Sequence, residues 1–295
     1  MPLNVGSRSK TLLQGAIDTH MHTAPDIYPR SVTVIEAAQN AKEAGMRAIL
    51  VKSHCTDTSD RAELSRMLTG FPVFGGVTLN YPVGGLNVHA VRESIRQGGK
   101  QVWMPSTSAR AFMQDPHSIP RLGEVLPLGV EGITILHKDG LLMPEVEPIL
   151  TLIAENDIAL ASAHISPLEA LALVKAARKA GVKRLTITHP HASFLGYTVD
   201  QMMELAGMGS LLEFHFALTT TALTPNAPSV SDLGKTIRAI GPEHCILATD
   251  GGQAGNPPPH EMLRLFIAGM LEAGFSDDEI ETMTKRNPAW ILGLS

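Results

Sequence analysis

Ala16-Ile17-Asp18-Thr19-His20-Met21-His22 is the stretch on which the reading of this chain turns. In a β-strand successive side chains alternate between faces, so His20 and His22 share a face two residue rises apart, close enough to bind one metal ion. Asp18 falls on the same face, positioned to orient one of the imidazoles from behind. A single His-x-His is a weak signal. Its weight comes from the rest of the chain, which repeats the pattern of an apolar strand ending in a possible ligand.

The second predicted strand, 48–52, ends in Lys52 and runs into Ser53-His54. The third, 73–79, opens into Asn80-Tyr81-Pro82-Val83-Gly84-Gly85-Leu86-Asn87, a loop dense in turn formers. The fourth, 101–104, carries Trp103 and stops at Pro105-Ser106. The fifth, 158–163, ends at His164, and the sixth, 184–188, at His189. The seventh, 211–216, holds Glu213 and His215 on one face, and the eighth, 245–249, ends at Asp250 before Gly251-Gly252. Helical patterns separate the strands, one of them opened by Ser166-Pro167-Leu168-Glu169, which reads as a capping box. Residues 109–144 break the rhythm with Asp115-Pro116-His117, Pro120, Pro127 and a β-like run at 132–136, an expected excursion over the mouth with a small hairpin. Eight strand–helix units in 295 residues predict the α/β class and a (β/α)8 TIM barrel, one domain over 1–295 with a short excursion after strand four. Right-handed crossovers bring every strand's C-terminal end to one face, where the candidate ligands converge.

Composition narrows the partners. The net charge is −5 with no basic run, which argues against nucleic acid. No apolar stretch approaches the eighteen or so residues of a membrane span, and the first ten residues lack a signal-peptide core, so a cytoplasmic protein is expected. Cys55 and Cys245 make no framework pattern and are expected to be free thiols. Thirteen methionines read as fillers of core gaps.

A set of imidazoles plus a carboxylate suits a borderline cation such as Zn2+, or another divalent metal such as Mn2+, with a position open to water. Such an ion brings the pKa of its water to about 7 and polarises a carbonyl. Asp250 beside that water is placed to take its proton.

On Asp18-Thr19-His20-Met21-His22, His164, His189, Thr249-Asp250 and the closing Asn287-Pro288-Ala289-Trp290-Ile291-Leu292-Gly293-Leu294, the chain resembles the amidohydrolase superfamily of metal-dependent barrel hydrolases. Leu79-Asn80-Tyr81-Pro82-Val83-Gly84-Gly85-Leu86-Asn87 with Val102-Trp103-Met104-Pro105 resembles its uncharacterised DUF6282 branch. The resemblance implies that His20, His22, His164 and Asp250 bind metal, while His189 binds a second ion or polarises the substrate. It also implies self-association into a homo-oligomer. One departure stands out: binuclear members carry a carboxylated Lys or a Glu at the end of strand four, and here that strand ends Trp103-Met104-Pro105-Ser106. Either one ion binds per chain, or Lys52 or His54 supplies the bridge to a second.

The remaining candidates stay open at this level. His54 is a ligand, a substrate contact or a surface residue; Lys52 is functional, contacting a substrate carboxylate or oxyanion, or a paired strand-end cation. Glu213 and His215 read as a buried pair behind the ligands. Asn80, Asn87 and Trp103 line the substrate or serve the backbone, and His137 leans over the mouth from the excursion. The expected activity is hydrolysis of an amide, lactone or related carbonyl bond in a small molecule by a metal-activated water, with Asp250 as general base. The alternative is non-oxidative decarboxylation of a small carboxylic acid on the same barrel.

Overall fold

A computed structural model describes residues 5–114, 130–220 and 227–294. Its strands are β1 (Ile17–His22), β2 (Ala48–Lys52), β3 in two pieces (Val73–Phe74 and Gly76–Thr78), β4 (Gln101–Trp103), β5 (Ala159–Ala161), β6 (Leu185–Thr188), β7 (Leu211–His215) and β8 (Cys245–Ala248). Neighbours pair in parallel and in chain order, Ile17 with Ala48, Ile49 with Val73, Val77 with Val102, Val102 with Leu160, Leu160 with Leu185, Thr186 with Leu211 and Leu212 with Cys245. β3 is interrupted at Gly75, where the Thr58 hydroxyl takes the Gly76 N–H at 2.9 Å. The ring is completed past the end of β8: the Asp250 N–H donates to the His20 carbonyl and the His22 N–H to the Gly251 carbonyl, both at 2.8 Å, and Met21 bridges Gly251 in parallel. This is the barrel that the alternation of strands and helices predicts.

The strands are buried on both faces, as parallel barrel strands are, and read as apolar runs. Val77, Val102, Leu160, Ile187, Leu212 and Ile246 are all fully buried. The intervening helices begin where the sequence supplies caps: Thr33 with Glu36, Ser166 with Glu169, Thr198 with Gln201 and Ser276 with Glu279 form reciprocal capping boxes, each satisfying N–H groups that a helix start leaves without partners. The chain also forms a helix ahead of β1, Val5–Leu13, which the sequence reading did not anticipate. At the other end, the Asn287 amide donates to the carbonyls of Glu243 and Cys245 at 3.0 and 2.8 Å, tying the closing helix Asn287–Ile291 to the start of β8.

The excursion is partly described. Ala109 bridges Ile133 and Leu136 bridges Leu142 antiparallel around a tight turn, so the small hairpin is present. Glu169 anchors it, accepting from the Thr134 hydroxyl at 2.6 Å and the Ile135 N–H at 2.9 Å. Asp115, Pro116, His117, Pro120 and Pro127 lie outside the described residues. Both cysteines are free. Among the described residues no helix is long and apolar enough to cross a membrane.

Candidate metal centre

Three strand ends carry side chains on backbone that L residues rarely adopt. Ala163, just before His164, has φ +50°, His189 +54° and Asp250 +47°. Such left-handed geometry costs energy and persists where the surroundings enforce it, commonly at functional sites. Here it turns His164, His189 and Asp250 from the ends of β5, β6 and β8 into one cavity. Gly252 follows with φ +105°, and a Cβ there would sit 1.8 Å from the His22 carbonyl oxygen. The Thr-Asp-Gly-Gly turn is therefore a fitted junction between β8 and β1 as well as a carrier of Asp250.

Asp250 is the hub. One carboxylate oxygen lies 3.1 Å from His22 Nε2 and 3.5 Å from His20 Nε2, and the other lies 4.0 Å from His189 Nε2. His20, His189 and Asp250 form one group able to hold an ion, and His20, Glu213 and His215 another. His164 faces the same cavity, its ring 5.2 Å from that of His189 and packed against Phe112 and Phe194. Neither of its nitrogens has a hydrogen-bond partner.

Burial pushes the imidazoles of His20, His22, His54, His164 and His189 well below their usual pKa, with the other positive groups nearby adding to the effect. Burial moves His215 down to about 3 and raises Asp18 and Glu213 to about 7. It raises Asp250 as well, against the pull of His215 and Lys52. The result is a nest of neutral imidazoles around a carboxylate.

The hydrogen bonds are consistent with one placement of the ring protons. Lys52 Nζ, an ammonium whose pKa burial brings down to about 8, can only donate, so His20 Nε2, 3.3 Å away, accepts and its proton sits on Nδ1. That nitrogen faces Glu213 Oε2 at 3.3 Å and His215 Nε2 at 3.0 Å. Glu213 Oε2 is also 3.3 Å from His215 Nε2, so it can take either N–H; where the His20 proton is directed at His215, His215 Nε2 is bare and its proton lies on Nδ1. It donates to His189 Nδ1 at 2.8 Å, which leaves the His189 proton on Nε2, toward the cavity. His191 stands behind this relay: Nε2 meets the His215 carbonyl at 3.3 Å and its ring stacks on Phe214.

A second network settles His54. Asn80 Oδ1 accepts from the N–H groups of Ser106 and Ser108 at 2.8 and 3.1 Å, which orients the amide so that Nδ2 donates to the His54 carbonyl and Ser106 Oγ. The Ser106 hydroxyl proton then has His54 Nδ1, 2.9 Å away, to donate to. With that donation His54 carries its proton on Nε2; its ring stacks over His22 at 4.7 Å.

The cavity holds about 520 Å³ and is lined by His22, His54, His164, His189 and Asp250 together with Tyr28, Arg30, Thr107, Phe112, Phe194, Leu218 and Gln253. Lys52 lies beneath it, 1% exposed, with Nζ 5.8 Å from the centre of the Trp103 ring. Trp103 is fully buried below His20. Asn80 is a clasp between the ends of β2 and β4. Asn87 caps the helix Val88–Arg96 by accepting from the N–H groups of His89 and Ala90, and His137 lies on a separate surface hollow with Arg110 and Lys138. None of Asn80, Asn87, Trp103 and His137 is in the cavity lining. Asp18 does not orient an imidazole, as its place on the strand suggested; it accepts from the His20 and Thr249 N–H groups and, at 2.5 Å, from the Thr249 hydroxyl, riveting β1 to β8. Sequence reasoning missed Tyr28, Arg30, Thr107, Phe194, Leu218 and Gln253. They sit on loops with no periodicity to mark them, although the Asp26–Arg30 pair directly after His-x-His was a visible signal.

A family model described as a family of unknown function, DUF6282, matches residues 15–213. The chain belongs to the DUF6282 family. No curated protein matches the chain in sequence. Solved structures share the fold of this DUF6282 protein. One is assigned as a 2-pyrone-4,6-dicarboxylic acid hydrolase from Pseudomonas putida, with 13% identity, a TM-score of 0.59 and coverage of 95% of this chain and 98% of that one. Another, assigned as a dipeptidase from Pseudomonas aeruginosa, has 10% identity and a TM-score of 0.64 over 100% and 99% of the two chains. A 2,6-dihydroxybenzoate decarboxylase from Rhizobium has 9% identity and a TM-score of 0.56 over 95% and 99%. At these identities the likeness is one of fold.

Proposed function

We propose that this DUF6282 protein is a metal-dependent hydrolase of a small molecule with an amide, lactone or related carbonyl bond. The observation that carries the reading is the convergence of neutral imidazoles on one carboxylate, with both nitrogens of the buried His164 lacking partners. Buried polar groups without partners are rare and call for an explanation, and a divalent ion is the partner that bare imidazole nitrogens and a carboxylate share. His20 through the Nε2 lone pair that the Lys52 ammonium faces at 3.3 Å and would have to yield, His22 through Nε2, Asp250 through one oxygen, and His164 are the residues that would hold it. Zn2+ suits the donor set best, with Mn2+ as a second choice.

A bound divalent ion would supply Lewis acidity, polarising the substrate carbonyl and acidifying water. The free oxygen of Asp250 takes the proton of the attacking water and passes it to the leaving group. Nε2–H groups of His189 and His54 face the cavity as donors for the oxygen that gains charge. That role for His189 follows from the proton relay, which leaves it no lone pair on the cavity side while His20 is a ligand. The same logic sets His54 aside as a ligand and favours one ion per chain. Glu213 and His215 hold the His20 ring in its ligating tautomer. Two free cysteines suit a reducing compartment, in keeping with a cytoplasmic enzyme.

The experiment is turnover of a panel of small lactones, amides and carboxylic acids by metal-loaded wild type, with Asp250→Asn, expected to lose the ion, as the control. Water uptake without carbon dioxide, lost in Asp250→Asn, is the expected result. Carbon dioxide release would replace hydrolysis by the decarboxylase reading.

A further inference from the structure

Arg30 follows β1 on the loop that bears Tyr28 and Pro29, and its side chain is 5% exposed. Asp26, 1% exposed, accepts from Arg30 Nε at 2.9 Å and Nη2 at 2.8 Å through the single oxygen Oδ2. That clamps one edge of the guanidinium. Nη1 makes no hydrogen bond among the described residues, so the Nη1/Nη2 edge keeps its N–H groups. The backbone behind it is fixed by the bridge from Arg30 to Gln253. Arg30 lines the cavity, and the only other charged residue in that lining, Asp250, is engaged with the imidazoles. Phe112, Phe194 and Leu218 supply apolar wall to the same cavity, the two rings packed against His164.

A nearly buried guanidinium with an unengaged edge fits a planar, two-oxygen anion, since the parallel N–H groups of Arg match a carboxylate in geometry as well as charge. We propose that Arg30 anchors a carboxylate of the substrate, making the substrate class a small carboxylate with an apolar body, whose scissile bond lies toward Asp250. Asp26 is the positioning residue that presents the open edge. The inference rests on the hydrolase reading for the word substrate, but the binding site itself rests on Arg30 alone.

Calorimetric titration of metal-loaded protein with benzoate, phenylacetate and hexanoate, each beside its amide, tests this. Wild type is expected to bind at least one carboxylate at least about tenfold more tightly than its amide, and Arg30→Gln to lose that preference while binding the amide unchanged. Arg30→Lys, which keeps the charge without the fork, is expected to fall between the two, and covers the case in which Arg30→Gln does not fold. Equal carboxylate affinity in wild type and Arg30→Gln, or no preference for any carboxylate over its amide in wild type, would overturn the proposal. Metal content measured on the same samples separates the two readings: an ion-free wild type sinks the hydrolase, whereas Arg30→Gln is expected to hold as much metal as wild type.

Discussion

The ends of β1 and β4 open on the same mouth and are built for different work. At the end of β1, seven side chains with chemistry in them, His20, His22, Lys52, His189, Glu213, His215 and Asp250, meet within hydrogen-bond or ion-pair reach of one another. At the end of β4 the chain turns through Pro105 and Ser106, and Asn80 spends all its hydrogen-bonding capacity on two backbone N–H groups, one carbonyl and one hydroxyl. The first end is costly and poised, the second cheap and closed. A site of this design draws its ligands from the ends of β1, β5 and β8 and uses the end of β4 to hold the loops still.

If that contrast is right, acid should attack the first end. Seven imidazoles, His20, His22, His54, His164, His189, His191 and His215, have lowered pKa values, and three carboxylates, Asp18, Glu213 and Asp250, have raised ones. The unfolded chain binds protons at the imidazoles from about pH 6.5 downward while the fold resists them, so their stability is full above that pH and lost below it. The carboxylates act oppositely: the stability they give is present at low pH and lost as pH rises, for Asp18 and Glu213 through about 7. Imidazoles outnumber carboxylates, so the melting temperature of metal-free protein should fall steadily from pH 7 to pH 5. A flat profile would mean that the nest is not neutral.

Glycine substitutions sharpen the contrast with a smaller effect. Gly252→Ala combines a left-handed φ with a collision at the His22 carbonyl and should cost about 3 kcal/mol or more. Gly140→Ala in the hairpin turn has φ +83° and open space around it, and should cost about 1 kcal/mol. Equal losses in chemical denaturation would show that the β8–β1 junction is not tightly fitted.

The smallest effect on the site is expected from the clasp. Asn80→Ala leaves two backbone N–H groups unpaired and should cost about 2–3 kcal/mol of stability, yet metal content should stay at the wild-type level. Loss of the ion with Asn80 would mean that the end of β4 belongs to the centre after all.

Much of this architecture was legible from sequence because its signals are local. Strand ends mark themselves where an apolar run stops at His164, His189 or Asp250, and periodicity with caps marks the helices between. What the sequence could not carry is direction and proton placement. His54 and Lys52 sit at one strand end and looked interchangeable as substitute bridges, yet Ser106 makes one a donor into the cavity and burial beneath His20 puts the other under the floor. Asn80 and Asn87 share a loop and a residue type; hydrogen bonding to distant backbone gives the first a clasp and the second a helix cap. Arg30 was missed for the opposite reason: its pairing with Asp26, four residues away, was visible, but nothing in a loop's spelling says that its guanidinium reaches the cavity.

Metal content per chain, determined by elemental analysis after reconstitution on wild type, Asp250→Asn, Lys52→Ala and His54→Ala, tests the central claim most directly. The account predicts about one divalent ion per chain in wild type, unchanged in His54→Ala and Lys52→Ala and lost in Asp250→Asn. No ion in wild type would contradict the metal centre itself, and two ions falling to one with Lys52 or His54 would contradict the single-ion site, returning strand two to the role of bridge.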